Sequence, residues 1–313
     1  MTTSSPETRA PIRPTRLLLT GRFARRVHEH LESWGTPIRL RHAAEPSAED
    51  LGWADSVAGW PFPDPDGTGR YVWAHTMSAG LDAFAPYTDR FEVLTRTIGT
   101  MPEQMGRYAQ AWVLNHCLHT AHYVRAQDRR TWEPRRTAPL PERAVVLGTG
   151  PIGAGVARAL ESLGIAVVGA NRSGRDADGF SRTAPLTQIH PELERAGVVV
   201  SALPGTEETA GILNDDLFSH LDEALLINVG RGVSLDEAGL RRALDAGRVS
   251  GAVLDVFETE PLDEDSWLWG DERIHITPHI SAQTRPVDIA AALHEAVLAF
   301  ERGEEPPTAV HLA

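Results

Sequence analysis

The sequence predicts an α/β protein in which a doubly wound parallel sheet is inserted into a smaller α/β unit. Three observations carry that expectation. Short apolar runs alternate with helical patterns along most of the chain, as they do where helices cross between parallel strands. The stretch RAVVLGTGPIGAGVARAL, residues 143–160, passes from one such run into a helical pattern through Gly148, Gly150 and Gly153. That stretch begins mid-chain, and a last helical pattern over Val287–Gly303 comes too late to extend the sheet it opens. The tail is therefore expected to return to the first unit.

With 313 residues the chain is long enough for about two domains with cores of their own. A hydrophobic content of 42% beside 23% charged residues is that of an ordinary globular protein. The net charge of −13 removes the basic face that a nucleic acid or an anionic membrane would need, so neither is an expected partner. Any anionic ligand must be held by local arginines and backbone N–H groups. The single cysteine, Cys117, allows no intrachain disulfide and permits a reducing compartment. No apolar run reaches the length of a membrane span, and the opening MTTSSPETRAPIRPTR lacks an apolar signal segment. Residues 1–14 are expected to form a loose tail, and the protein to be cytoplasmic. All 30 of the Lys+Arg residues are arginine, which removes mechanisms that need a lysine base or Schiff base.

In the first unit, Leu17–Thr20 reads as a strand and Phe23–Trp34 as a helix with Phe23, Val27, Leu31 and Trp34 at helical spacing. Strand-like runs recur at Ile38–Arg41, Ser56–Trp60, Tyr71–His75 and Phe91–Thr95, which makes a small parallel α/β unit. It has no phosphate loop and reads as a substrate domain. Trp60 closes a strand ahead of Pro61, Pro63 and Pro65. It stands either in a plain surface loop or in the lining of a pocket, since ligands gather at the C-terminal ends of parallel strands. The next strand ends in Ser78-Ala79-Gly80, with Leu81 and Asp82 expected to start a helix. A small-residue turn ahead of a helix exposes N–H groups that suit a carboxylate. A long helical stretch over Pro102–Arg130 then carries His116, Cys117, His119 and His122. The i, i+3 spacing of His119 and His122 fits a metal site, but no carboxylate completes the set, and no metal is expected.

The glycines at 148, 150 and 153 have separate uses if a dinucleotide sits here. Gly148 makes the tight turn, Gly150 lets backbone approach a pyrophosphate, Gly153 lets helix and strand pack closely, and the helix N-terminus offers N–H groups to the phosphates. Such turns also occur as plain structural loops, but the strand Ala144–Leu147 and the helical positions Val156, Ala157 and Leu160 flank this one correctly. Strands follow at Ile165–Ala170, Gly197–Ala202, Ala224–Asn228 and Gly251–Leu254, separated by helical stretches Pro191–Ala196, Asn214–His220 and Ser234–Ala246. This is a Rossmann-type doubly wound sheet. Where its second strand usually ends in an acid that binds the ribose 2′-hydroxyl, the run is Asn171-Arg172-Ser173-Gly174-Arg175. With no carboxylate to repel a 2′-phosphate and two arginines to pair with it, NADPH is expected to be preferred over NADH.

Three reactive residues follow successive apolar runs: Arg231 in NVGRG, Glu260 in DVFETEPL and His279 in ITPHI. Arg231 can grip a carboxylate and polarise the neighbouring 2-oxo group. His279 can donate a proton as hydride arrives at C2, while Glu260 orients it and favours its charged form. Taken singly, each also reads as a surface arginine, a solvated acid or a histidine beside a turn.

The ordered set of motifs resembles the D-isomer-specific 2-hydroxyacid dehydrogenase family, and within it the glyoxylate/hydroxypyruvate reductase A type. It comprises Gly148-x-Gly150-x-x-Gly153, Leu203-Pro204 with Thr209 and Gly211-Ile212-Leu213-Asn214, and Asn228-Val229-Gly230-Arg231-Gly232. Asp255-Val256-Phe257 with Glu260-Pro261-Leu262, and Thr277-Pro278-His279, complete it. Glu103-Gln104-Met105, Trp132, Arg172 with Arg175, and Thr284-Arg285-Pro286 point to the A type. The resemblance implies that Arg231, Glu260 and His279 are the catalytic residues in the roles above. It implies cofactor contacts at Gly148, Gly150, Pro151, Ile152 and Gly153, at Asn171, Arg172, Ser173 and Arg175, at Leu203, Pro204 and Thr209, and at Val229, Gly230, Asp255 and His279. Substrate contacts are implied at Arg231 and Arg285 and at the main-chain N–H groups of Ala79 and Gly80, to which the strand-end reading above adds Trp60. It also implies a flavodoxin-like substrate domain split into residues 15–100 and 287–313, around a dinucleotide domain of residues 101–286. A homodimer built on the helix around Tyr108–Arg125 goes with that arrangement. The chain departs from the family's pattern at Gly80-Leu81-Asp82 and Met101-Pro102-Glu103, and before Ser78 it aligns little beyond Trp60-Pro61. The expected activity is NADPH-dependent reduction of a small 2-oxo acid, glyoxylate- or hydroxypyruvate-like, to the D-2-hydroxy acid. The alternatives are the same chemistry on a bulkier or phosphonate-bearing 2-oxo acid, and a corepressor-like protein that senses dinucleotide.

Overall fold

A computed structural model describes residues 12–310 of the chain. Of the tail expected over residues 1–14, residues 1–11 therefore lie outside the described residues. The chain divides into two compact units, one of described residues 12–100 with 284–310 and one of Met101–Gln283.

The first unit opens with β1 (Arg16–Thr20), α1 (Ala24–Ser33), β2 (Arg39–Ala43), α2 (Ala48–Trp53), β3 (Ser56–Gly59), β4 (Tyr71–Thr76) and β5 (Phe91–Arg96). These strands form a parallel sheet in the order β5-β4-β3-β1-β2. Successive residues of a strand point to opposite faces, and β1 uses both. Leu17 and Leu19 pack with Val27, Leu31 and Trp73, while Leu18 packs on the other side with Val57, Phe62 and Phe84. α2 starts on a reciprocal cap, in which the Ser47 hydroxyl accepts the Asp50 N–H and the Asp50 carboxylate accepts the Ser47 N–H. The helix expected to start at Leu81 is instead a turn, closed by the Phe84 N–H on the Leu81 carbonyl at 2.8 Å, and then a 3-10 helix, Ala85–Arg90. Pro86 has no N–H to give back to Asp82, so an α-helix cannot run through this point.

The second unit contains α3 (Met101–Cys117), α4 (Thr120–Asp128), β6 (Arg143–Leu147), α5 (Pro151–Glu161), β7 (Ala166–Asn171), β8 (Arg182–Pro185), α6 (His190–Leu193), β9 (Val198–Ser201), α7 (Asp215–Ser219), β10 (Ala224–Asn228), α8 (Glu237–Asp245), β11 (Val249–Leu254) and β12 (Ile274–Ile276). The sheet order is β12-β11-β10-β9-β6-β7-β8, parallel throughout. Its strand β6 alternates as β1 does: Val145 and Leu147 join one core, Ala144 and Val146 the other. The long helix expected over Pro102–Arg130 is broken into α3 and α4 at His119, whose φ of 55° places it in the left-handed region.

The chain then re-enters the first unit. α9 (Pro286–Arg302) lays Ile289, Leu293, Val297 and Phe300 onto the face that carries Leu17 and Trp73. A two-residue strand, β13 (Ala309–Val310), pairs antiparallel with β5, so this sheet is parallel in all but its last strand.

Candidate active site

In a parallel sheet all strand C-termini share one edge, and in the second unit that edge carries the residues singled out from the sequence. Gly148 follows β6, Asn171 ends β7, Leu203 and Pro204 follow β9, Val229–Arg231 follow β10, Asp255 follows β11 and His279 follows β12.

The glycine turn has the geometry of a phosphate cradle. Gly148 has a φ of +99°, which a residue with a side chain rarely adopts. A Cβ at Gly153 would lie 1.9 Å from the Gly148 carbonyl oxygen, so only glycine lets α5 start this close to the strand. At Gly150 a Cβ would meet nothing within 4 Å, which leaves the backbone open to an approaching group at the start of α5. Pro151 stands in the first turn, where a missing N–H costs little. Ile152 follows it on the same turn.

Asn171 builds the next loop with its own side chain. Its Oδ1 accepts the N–H groups of Ser173 and Gly174 at 3.1 and 2.6 Å, and its amide donates to Thr149 Oγ1 at 3.0 Å and the Arg175 carbonyl at 2.8 Å. Among the described residues the exposed Arg172 guanidinium pairs with the exposed Glu208, at 3.3 Å, and Arg175 Nε donates to Ser173 Oγ at 3.1 Å. An exposed ion pair of this kind is worth about 0–1 kcal/mol, so both cations can turn to a phosphate. On the neighbouring loop Thr209 Oγ1 donates to the Pro204 carbonyl at 2.5 Å, and Leu203 and Val229 are buried.

His279 and Glu260 form a pair: Nδ1 lies 2.9 Å from Oε2, and the other carboxylate oxygen accepts the Phe257 N–H at 3.0 Å. With Nδ1 on the carboxylate, Nε2 is the nitrogen left for a substrate. The imidazole is 48% exposed and can be reached. Asp255, which the sequence placed among cofactor contacts, is fully buried, and its carboxylate accepts Thr277 Oγ1 at 2.6 Å and the N–H groups of Ile280 and Ser281 at 2.8 and 2.9 Å. Its carbonyl accepts the His279 N–H at 2.9 Å. The left-handed backbone of His279, φ 52°, is held by these bonds. Tyr108 on α3 adds a hydroxyl contact to Thr277 at 2.6 Å. Neither the Asp255 clamp nor the Tyr108 contact was read from the sequence, because both depend on partners more than twenty residues away.

Arg231 lies in the loop after β10, where its Nη1 donates to the Gly230 carbonyl at 2.8 Å and its own carbonyl accepts Asn228 Nδ2 and Ser234 Oγ. A Cβ at Gly232 would lie 1.8 Å from the Phe257 carbonyl carbon. The loop of Arg231 is thus pressed against the loop that carries Glu260.

The remaining residues belong to the first unit. Trp60 stands just beyond β3 and is 59% exposed. In the turn after β4, the Ala79 carbonyl accepts Arg96 Nη1 at 3.2 Å and the Gly80 carbonyl accepts Ser78 Oγ at 2.9 Å. No hydrogen bond among the described residues takes the Ala79 or Gly80 N–H. Arg285 makes a bidentate pair with Asp288 through Nη2 and Nε, at 2.7 and 2.8 Å.

His119 and His122 face main-chain carbonyls, those of Arg136 at 3.1 Å and Glu133 at 3.2 Å. Among the described residues the group of three possible metal ligands is His190, Asp216 and His220. Its two imidazoles are stacked at 4.0 Å and 14°. Nearly parallel rings carry their lone pairs in separate planes and cannot meet at one ion.

The class that the second unit's edge defines is a dinucleotide-dependent oxidoreductase acting on 2-hydroxy or 2-oxo acids. Comparison with known proteins gives the same class: residues 110–281 match the D-isomer specific 2-hydroxyacid dehydrogenase, NAD binding domain. The glyoxylate/hydroxypyruvate reductase A of Salmonella paratyphi B is 33% identical over 262 residues, 80% of this chain and 84% of that one. A D-isomer specific 2-hydroxyacid dehydrogenase family protein from Aeromonas salmonicida superposes with a TM-score of 0.85 at 31% identity, over 95% of this chain and 99% of its own. The D-isomer specific 2-hydroxyacid dehydrogenase from Xanthobacter autotrophicus, solved in complex with NADPH and MES, gives 0.84 at 27% identity, over 95% and 98%. The chain belongs to the D-isomer specific 2-hydroxyacid dehydrogenase family. It is an NAD(P)-dependent enzyme that reduces a small 2-oxo acid to a D-2-hydroxy acid.

Proposed function

We propose that this protein uses NADPH to reduce a glyoxylate- or hydroxypyruvate-like 2-oxo acid, with His279 as proton donor. The observation that carries the reading is the His279–Glu260 pair at 2.9 Å, which leaves Nε2 to the substrate. Gly148, Gly150 and Gly153 with the start of α5 would hold the pyrophosphate, and Arg172 and Arg175 the 2′-phosphate. The preference for NADPH is supported by these two arginines and by the NADPH bound to the Xanthobacter relative. Bound NADPH supplies the hydride. Arg231 holds the substrate carboxylate and draws charge from the 2-oxo group, and His279 gives its proton to the oxygen as charge develops there. Glu260 keeps the ring turned for that transfer. The Ala79 and Gly80 N–H groups hold the carboxylate of the substrate, with Trp60 and Arg285 as further contacts. The small substrate is supported by the likeness to the glyoxylate/hydroxypyruvate reductase A relative.

The test is His279→Ala, for which kcat should fall by roughly 10²–10⁴ while the Kd for NADPH stays within about threefold. A variant that keeps near-normal turnover on every accepted 2-oxo acid contradicts the assignment.

A further inference from the structure

Most arginines on the first unit's sheet and its covering helices have an acid to face. Arg16 pairs with Asp55, Arg41 with Asp50, Arg90 with the buried Asp64 at 2.6 Å, and Arg285 with Asp288. Arg96 is the exception that lies at a strand's C-terminal end. It closes β5 in register with Thr76 on β4, directly beside the turn that follows β4. Among the described residues no carboxylate comes within ion-pair distance of its guanidinium, and its one side-chain hydrogen bond is the 3.2 Å contact to the Ala79 carbonyl. Burial draws its pKa below the usual arginine value, with no acid to oppose the shift. Leaving a half-buried cation without a counter-ion is costly, and in a chain of net charge −13 acids are not scarce.

The bonded atom gives the position its meaning. The Ala79 carbonyl and the Gly80 N–H belong to one peptide group. A cation donating to the oxygen pulls electron density through the amide, which strengthens the N–H on its other side as a donor. The same charge adds a positive potential behind a turn whose two N–H groups have no partner among the described residues.

We propose that Arg96 is a positioning residue that sets the affinity for the substrate carboxylate by fixing and polarising the Ala79–Gly80 peptide and supplying its missing counter-charge. The proposal rests on the reading above that this turn holds the carboxylate. The test uses the full-length enzyme with glyoxylate and with methyl glyoxylate, which lacks the charge. Arg96→Met should raise KM for glyoxylate about tenfold or more, with kcat and the Kd for NADPH within about threefold of the parent. On the ester, its kcat/KM should stay within about threefold. Arg96→Lys, which keeps the charge and a donor, should recover most of the loss. If the parent enzyme shows no preference for acid over ester, the carboxylate site at this turn is overturned. If the parent prefers the acid and Arg96→Met leaves that preference unchanged, or loses equally on both compounds, Arg96 has no part in carboxylate recognition and this proposal alone falls.

Discussion

The Asp255 carboxylate is fully buried and holds the loop of His279 through Thr277, Ile280 and Ser281. Replacing it with alanine leaves the buried Ser281 N–H and the part-buried Ile280 N–H without their acceptor, at about 1–3 kcal/mol for a buried group and less for a part-buried one. Asp255→Ala should therefore lose about 2–5 kcal/mol in urea unfolding, and turnover should fall with it as His279 loses its place. Unchanged stability would mean that the clamp is not needed. At this scale the candidates Arg231, Glu260 and His279 are legible in the sequence, because each follows a strand-like run in a motif of its own. It did not show their supports. Nothing near Asp255 in the chain marks it as an acceptor for residues 277–281, and nothing near Arg96 announces that no acid will face it.

Elements read most clearly where apolar periodicity is long. β1, β6, β10 and α9 stand within a residue or two of where the pattern put them, since each buries alternating or helically spaced side chains in a core. Short elements carry too little pattern: β8 contributes one buried residue, Ala184, and β13 has two residues in all. The break at His119 is likewise invisible, because a left-handed backbone at a residue other than glycine is imposed by its surroundings. β4 and β5 carry a consequence for pH. His75 is fully buried, with its two ring nitrogens on the hydroxyls of Thr95 and Thr97 at 2.6 and 2.9 Å, and burial lowers its pKa from 6.5 to about 3. Its folded pKa lies below the unfolded one, so the unfolded chain binds the extra proton. Its contribution is complete above pH 6.5 and is lost as pH falls toward 3, at no more than about 1.4 kcal/mol per pH unit. Urea unfolding between pH 7 and pH 4 should show this slope, and His75→Gln should flatten it. An equal slope in both proteins would place the acid sensitivity elsewhere.

At the scale of the whole molecule, the order of elements gave the arrangement away: a phosphate loop that starts at residue 148 needs something in front of it, and a helix after the last sheet strand needs somewhere to go. Which unit α9 joins follows from its apolar face, whose partners Leu17 and Trp73 lie more than two hundred residues earlier. We infer a homodimer from the family resemblance, supported by Leu118, Tyr123, Val124 and Trp132, which are exposed on and after α3 and α4. Light scattering should return about twice the 34.1 kDa of one chain, and a mass of one chain at micromolar concentration would contradict it. The central claim is NADPH-dependent reduction of a small 2-oxo acid. It is tested by following the oxidation of NADPH and of NADH by the purified protein across 2-oxo acids graded by size and charge, glyoxylate and hydroxypyruvate among them. The account predicts turnover of the small acids with kcat/KM at least about tenfold higher for NADPH than for NADH. Equal efficiency with both cofactors, or no oxidation with any acid of the series, would contradict it.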